Sequence, residues 1–264
     1  MRINMLSISR ILAPVDFSDR CRELLSYAGA IATQCHASLT LLHVVNPVYS
    51  IPAAGPLGPF LISVPPSVFD EAGKRLETFG ADRLGGVPVS RLVYEGDPVE
   101  QIVDFTQAEK TDLIVMPTHG YGTVRRFLIG SVTAKVLHDA TCPVLTSVHA
   151  QRPAFSKVLC ALNLGPESER TFSWASQFAS DFQASLEIVH VTTSANSSQA
   201  RESLKDHRAD SLHIVEGDPV EAICSVASST AADLLIIGRD ASSSKLKTHG
   251  FAIVRHSPCP VVSV

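Results

Sequence analysis

The chain has 264 residues, of which 45% are hydrophobic and 18% charged, with 22 Lys and Arg against 26 Asp and Glu for a net charge of −4. That length suits two domains of ordinary size, and the composition is that of a globular chain rich in buried surface, not a disordered one. The acidic balance, with a pI near 6.2, disfavours a nucleic-acid partner, which draws on a basic surplus to release counterions.

In chain order, the opening MRINMLSISRILAPVDF has no long apolar core ahead of Arg10 and Asp16 and no small-residue cleavage site. No secretory signal is read there, and a cytoplasmic protein is expected. ILAPV reads as a strand buried on both faces, DRCRELLSYAGAIATQ as a helix, and LTLLHVV as a second strand. Ser18 is placed as the helix N-cap. Asp16, at the tip of the first strand, has two readings: acceptor for ribose hydroxyls, or a local capping carboxylate. From Val44 to Phe69 there is no charged residue, a stretch long enough on paper to span a bilayer. Six prolines within it argue against a regular helix, so no membrane partner is expected and the segment 46–69 reads as an insert.

SRLVY reads as the third strand, and EGDPVE as the start of the next helix, with Asp97 as N-cap and Pro98 in the first helical position, a structural role. After the strand DLIVMP comes PTHGYGTVRRFLIGSVTAKVL at 117–137, a glycine-bearing loop that ends in Gly130-Ser131 at a helix start. Such a helix mouth either receives phosphate on free amides and the helix dipole, or is a glycine turn followed by a Ser N-cap. His119 is the one histidine in that loop, and CPVLTSV closes the half as a strand.

The blocks then recur. YEGDPVEQI at 94–102 returns as VEGDPVEAI at 215–223, RILAPVDFSDR as KVLCALNLGPE, LTLLHVV as LEIVHVT, and CPVL as CPVV. The offset is 147 residues at the opening strands and 121 at the EGDP block, so the second copy lacks 26 residues where the first carries its Pro-rich insert. Two domains are expected, 1–149 and 155–264, joined near 148–155. Their βαβαβαβαβ order implies a doubly wound α/β fold with a parallel sheet and helices on both faces, and ligands in such sheets sit beyond the carboxyl ends of the strands. The chain has no GxxxxGK[ST], HExxH, GxSxG or GxGxxG after the first strand, and its six cysteines form no CxxC. No metal site is read, and the thiols are expected reduced.

With VDFS, LLHVV, the GDP helix start and THGYGTVRRFLIGSVTAKVLHDATCPVL in view, the whole chain resembles a tandem member of the universal stress protein family. The resemblance implies two Rossmann-like domains of the adenine nucleotide alpha hydrolase type, each a five-stranded parallel sheet. The ATP-binding members carry G-x2-G-x9-G-[ST], and here the first half has Pro117-x2-Gly120-x9-Gly130-Ser131. Carried across, Pro14, Val15 and Val44 would border adenine, Asp16 would hold ribose, and Gly120, Gly130, Ser131 and Val132 would receive the phosphates of ATP, ADP or AMP, with Mg²⁺ as companion. Pro117 and His119 share that loop. The second half, with Asn163, Ala241 and Gly250-Phe251 at matching places, reads as degenerate.

The resemblance implies an ATP-binding regulatory or stress-response protein. A nucleotide-independent interaction or chaperone-like protein is the first alternative and a slow ATPase the second, with no catalytic residue assigned. The two halves are expected to pair through CPVLTSV and CPVVSV as a pseudo-dimer, two chains could associate further, and the protein partner is unknown.

Overall fold

Apolar runs without polar alternation need cover on both faces, and in the computed structural model of the chain they all join one sheet. The structure describes residues 8–47, 64–119, 129–148, 153–193, 196–239, 246 and 248–264. The first half supplies strands β1 (Arg10–Pro14), β2 (Ser38–Val45), β3 (Val89–Glu95), β4 (Leu113–Val115) and β5 (Val144–Thr146). The second supplies β6 (Lys157–Ala161), β7 (Ser185–Thr192), β8 (Ser211–Glu216), β9 (Leu234–Ile237) and β10 (Val261–Ser263). Their order is β3-β2-β1-β4-β5-β10-β9-β6-β7-β8. Each half is thus a five-stranded parallel sheet, and the strand order of the second runs in reverse of the first. Among the described residues the one antiparallel pairing, β5 with β10, joins them, with Thr146 opposite Val261 and Ser263 opposite Val144.

Helices α1 (Asp19–Cys35), α2 (Pro66–Thr78), α3 (Pro98–Ala108) and α4 (Ser131–Asp139) belong to the first half, and α5 (Ser168–Phe182), α6 (Ser197–Leu204), α7 (Pro219–Ser229) and α8 (Thr248–His256) to the second. Their buried residues divide between two cores that each run through both halves. Leu24, Leu76, Phe178 and Leu204 cover one face of the sheet, while Ile102, Val136, Val226 and Ile253 cover the other. On the first face Phe155 lies edge-on to Tyr27 of α1 at 5.8 Å and to Phe178 and Phe182 of α5 at 5.3 and 4.7 Å. Phe155, just before β6, is therefore part of the core.

Local chemistry repeats with the strands. Asp97 Oδ1 accepts from the amides of Val99 and Glu100, and Asp218 Oδ1 from those of Val220 and Glu221, so each EGDP block caps its helix. Asp112 accepts from Ser9 and Arg10 amides at the start of β1, and Asp233 does the same for Ser156 and Lys157 at β6.

The proline-rich segment differs from expectation at its end. Most of it, 48–63, lies outside the described residues, but α2 begins at Pro66 with Pro65 as N-cap. Proline in the first turn has no intrahelical bond to lose, so these two prolines start a helix instead of forbidding one. All six cysteines are free thiols, and burial pushes Cys21 up to about 12 and Cys142 and Cys259 up to about 11. No helix among the described residues is long and apolar enough to cross a membrane.

Candidate functional site

In the first half the chain leaves β1 toward β2 on one side and enters β4 on the other, so the strand order reverses between β1 and β4. A crevice opens at the carboxyl ends of such a pair. Here it is a cleft of about 310 Å³ lined by Pro14, Val15 and Asp16 after β1, Val44 of β2, Pro117 after β4, and Gly130, Ser131 and Val132 at the start of α4. Eight of the ten residues singled out in the sequence thus line one cleft.

The amide of Val15 donates to Leu42 O at 2.8 Å, carrying the sheet one residue past β1. His43 Nδ1 donates to Val15 O at 2.7 Å, fixing the strand tip, and burial holds the His43 pKa below its usual value. Phe17, at φ 64°, turns the chain. Asp16 Oδ1 then accepts from the Ser18 amide at 2.9 Å and the Ser18 hydroxyl at 2.7 Å, while Ser18 Oγ accepts from Cys21 N as the cap of α1. Both sequence readings of Asp16 meet here: it is engaged locally and still lines the cleft.

At the α4 end the cap is Gly130, at φ −61° and ψ 149°, and Ser131 is the first helical residue, not the N-cap. The Gly130 amide donates to Thr118 O at 2.8 Å and Thr133 Oγ1 to Pro117 O at 2.9 Å, which ties the helix mouth to the end of β4. The first amides of a helix have no intrahelical acceptor, and the N-cap here, a glycine, has no side chain to satisfy them. This mouth can receive an anion.

His119 stands beside Gly130, where a Cβ would lie 3.4 Å from His119 Cα. The histidine is buried, its Nδ1 bonded to Thr118 Oγ1 at 2.9 Å, and it is absent from the cleft wall. Burial, with the Arg20 charge added, lowers its pKa. Gly120 lies outside the described residues. The sequence reading missed Pro98, Ile102, Met116 and Thr133 on the same wall. The position after each strand and the first turn of the EGDP helix were the signal for them.

The second half carries a cleft of about 230 Å³ at the matching place. Its tip residue Asn163 accepts on Oδ1 from Gly165 N at 2.9 Å and Ser168 Oγ at 3.2 Å, and Nδ2 donates to Glu167. Arg239, 3% exposed, donates through Nη1 to Ala140 O across the joint, and burial lowers its pKa to about 10. Among the described residues no group of three or more His, Cys, Asp or Glu gathers as a metal site.

These features define a class: paired doubly wound α/β units with a cleft at each topological switch point. The sequence model of the universal stress protein family matches residues 7–147 and 198–264, and the chain belongs to that family. Universal stress protein MJ0531 of Methanocaldococcus jannaschii is 33% identical over 138 residues, covering 52% of this chain and 79% of its own. A universal stress protein of Thermus aquaticus is 35% identical over 142 residues, covering 51% of this chain and 95% of its own. A universal stress protein structure from Archaeoglobus fulgidus covers 98% of this chain and 96% of its own, at 23% identity and a TM-score of 0.75, a likeness of fold.

Proposed function

We propose that the first half holds an adenine nucleotide, ATP in the first instance, and that its occupancy sets the state that protein partners read. The observation that carries this reading is the joining of a strand-tip carboxylate, Asp16, and an uncapped glycine-led helix mouth, Gly130-Ser131, in one cleft with an apolar wall. The residues fit the group. The wall from Pro14, Val15 and Val44 suits adenine, Asp16 suits ribose, and the α4 amides with the Ser131 hydroxyl suit phosphate. Pro117 offers no amide, so one phosphate contact of the family pattern is lost, and Mg²⁺ would be carried by the phosphates. The assignment of 1–149 as the nucleotide-holding domain and 155–264 as its degenerate partner is part of the same reading.

The test is calorimetric titration of the intact chain with ATP and Mg²⁺. One ATP per chain is expected, lost in Gly130→Asp. That substitution is a clean probe: a Cβ at 130 meets His119 Cα at 3.4 Å and Thr118 O at 3.5 Å, ordinary contact, and Asp is a favoured N-cap. Unimpaired binding by a folded Gly130→Asp protein would sink the assignment.

A further inference from the structure

The two clefts share one wall and differ at the other. Pro14, Val15, Val44, Pro98 and Ile102 of the first correspond to Ala161, Leu162, Val191, Pro219 and Ile223 of the second, apolar in both. Three of the remaining differences act together, and a fourth places Arg239 on the wall of the second cleft where the first half has Thr118. Where the first half has Ser18, Arg20 and Pro117, the second has Gly165, Glu167 and Gly238. A Cβ on Gly165 would meet Glu167 Oε2 at 2.8 Å, and one on Gly238 would meet Glu167 Cγ at 3.3 Å and Thr171 Oγ1 at 2.7 Å. The two glycines leave the room that the Glu167 side chain fills. Its carboxylate accepts from Asn163 Nδ2, and Ser168 and Thr171 stand beside it on the cleft wall.

A carboxylate held in this way does two things. It accepts hydrogen bonds from neutral hydroxyls, and it repels phosphate. Phe251, matched to Ser131 along the sequence, instead lies inside α8, which begins at Thr248 where α4 begins at Ser131, so a hydroxyl residue stands at both helix mouths. The one amide hydrogen of Asn163 not given to Glu167 can donate to the same hydroxyls. We propose that the second cleft is a separate site for an uncharged nucleoside, with its base on the apolar wall and its ribose hydroxyls on Glu167 and Asn163. The proposal rests on reading the first cleft as a nucleotide site, since the shared wall is what assigns the base.

The wild-type chain is saturated with ATP and Mg²⁺ and then titrated with adenosine by calorimetry. One further equivalent of adenosine is expected to bind. It should be lost in Val191→Trp, which fills the matching base wall, and Glu167→Gln should raise AMP affinity for this cleft about tenfold or more, by removing the like charge. The proposal is overturned if the ATP-saturated protein takes up no adenosine to millimolar concentration, if adenosine uptake survives Val191→Trp, or if AMP binds this cleft more tightly than adenosine. The last result would make the buried Arg239 guanidinium a phosphate partner. Should the chain bind no ATP yet bind adenosine sensitively to Val191→Trp, the reading of the first cleft fails and this one stands. The converse pattern removes this one alone.

Discussion

The clefts of the two halves begin alike and end with different charged groups, Asp16 in the first and Glu167 with Arg239 in the second. In both, a histidine on the second strand, His43 or His190, bonds at 2.7 Å to the carbonyl of Val15 or Leu162 and fixes the first strand's tip. In both, an EGDP-capped helix supplies a proline and an isoleucine to the wall. The divergence starts one turn later. Position 20 is an arginine whose field reaches His119, whereas its counterpart 167 is a glutamate inside the cleft. On the proposed reading, the scaffold would set where a ligand sits, and a few residues at the start of the following helix would decide which ligand it is.

Five substitutions would break or sharpen this comparison. The largest effect is expected for Phe155→Ala, which empties the aromatic junction with Tyr27, Phe178 and Phe182. A loss of about 3–5 kcal/mol is expected in chemical unfolding. Both halves should lose it in one transition, and two separate transitions would show that the shared core does not couple them. Next comes Asp16→Asn, which gives the first cleft the strand tip of the second. ATP affinity should fall about tenfold, roughly 1.4 kcal/mol, while the fold holds, because an amide oxygen can still accept from Ser18. Unchanged affinity would confine Asp16 to its capping role.

Removing the helix caps separates stability from binding. Asp97→Ala and Asp218→Ala should each cost about 1 kcal/mol in urea unfolding, and only the first should weaken ATP binding, through the displaced Pro98 and Ile102. Equal effects on ATP would contradict the assignment to one half. The smallest effect concerns acid. Burial lowers the pKa of His43 and His119 below 6.5, so below that pH the unfolded chain binds more protons than the folded one. Stability should be full above pH 6.5 and decline as the pH falls toward the folded values, by at most about 1.4 kcal/mol per pH unit for each histidine. His43→Gln should flatten part of that slope in urea midpoints taken from pH 7.5 to 5.

Much of this architecture is local, and therefore legible in the sequence. Short apolar, β-branched runs such as LTLLHVV read as strands covered on both faces, and Asp97-Pro98 writes its own helix start. The onset of α2 was hidden because prolines 65 and 66 count against a helix by composition and for one by position. Asp16 and Gly130 could be placed because both stand at element ends, where the fold directs residues to the crevice. His119 stands at such an end too, but its side chain found Thr118 and burial instead, which spacing along the chain does not encode. Glu167 was visible in the repeat alignment as the partner of Arg20. That it lies in the cleft depends on the small residues at 165 and 238, a fact of three-dimensional space alone.

The pairing of β5 with β10 has a consequence for how such a molecule can change. Two separate copies that met through their last strands would be identical, so any substitution near the joint, or in either cleft, would appear twice. Inside one chain the same joint is made between different sequences, and a substitution such as that separating Arg20 from Glu167 alters one side only. The fixed pairing also commits both of those edges within the molecule. Association of two chains must then use other surfaces, with β3 and β8 the outermost strands of the sheet.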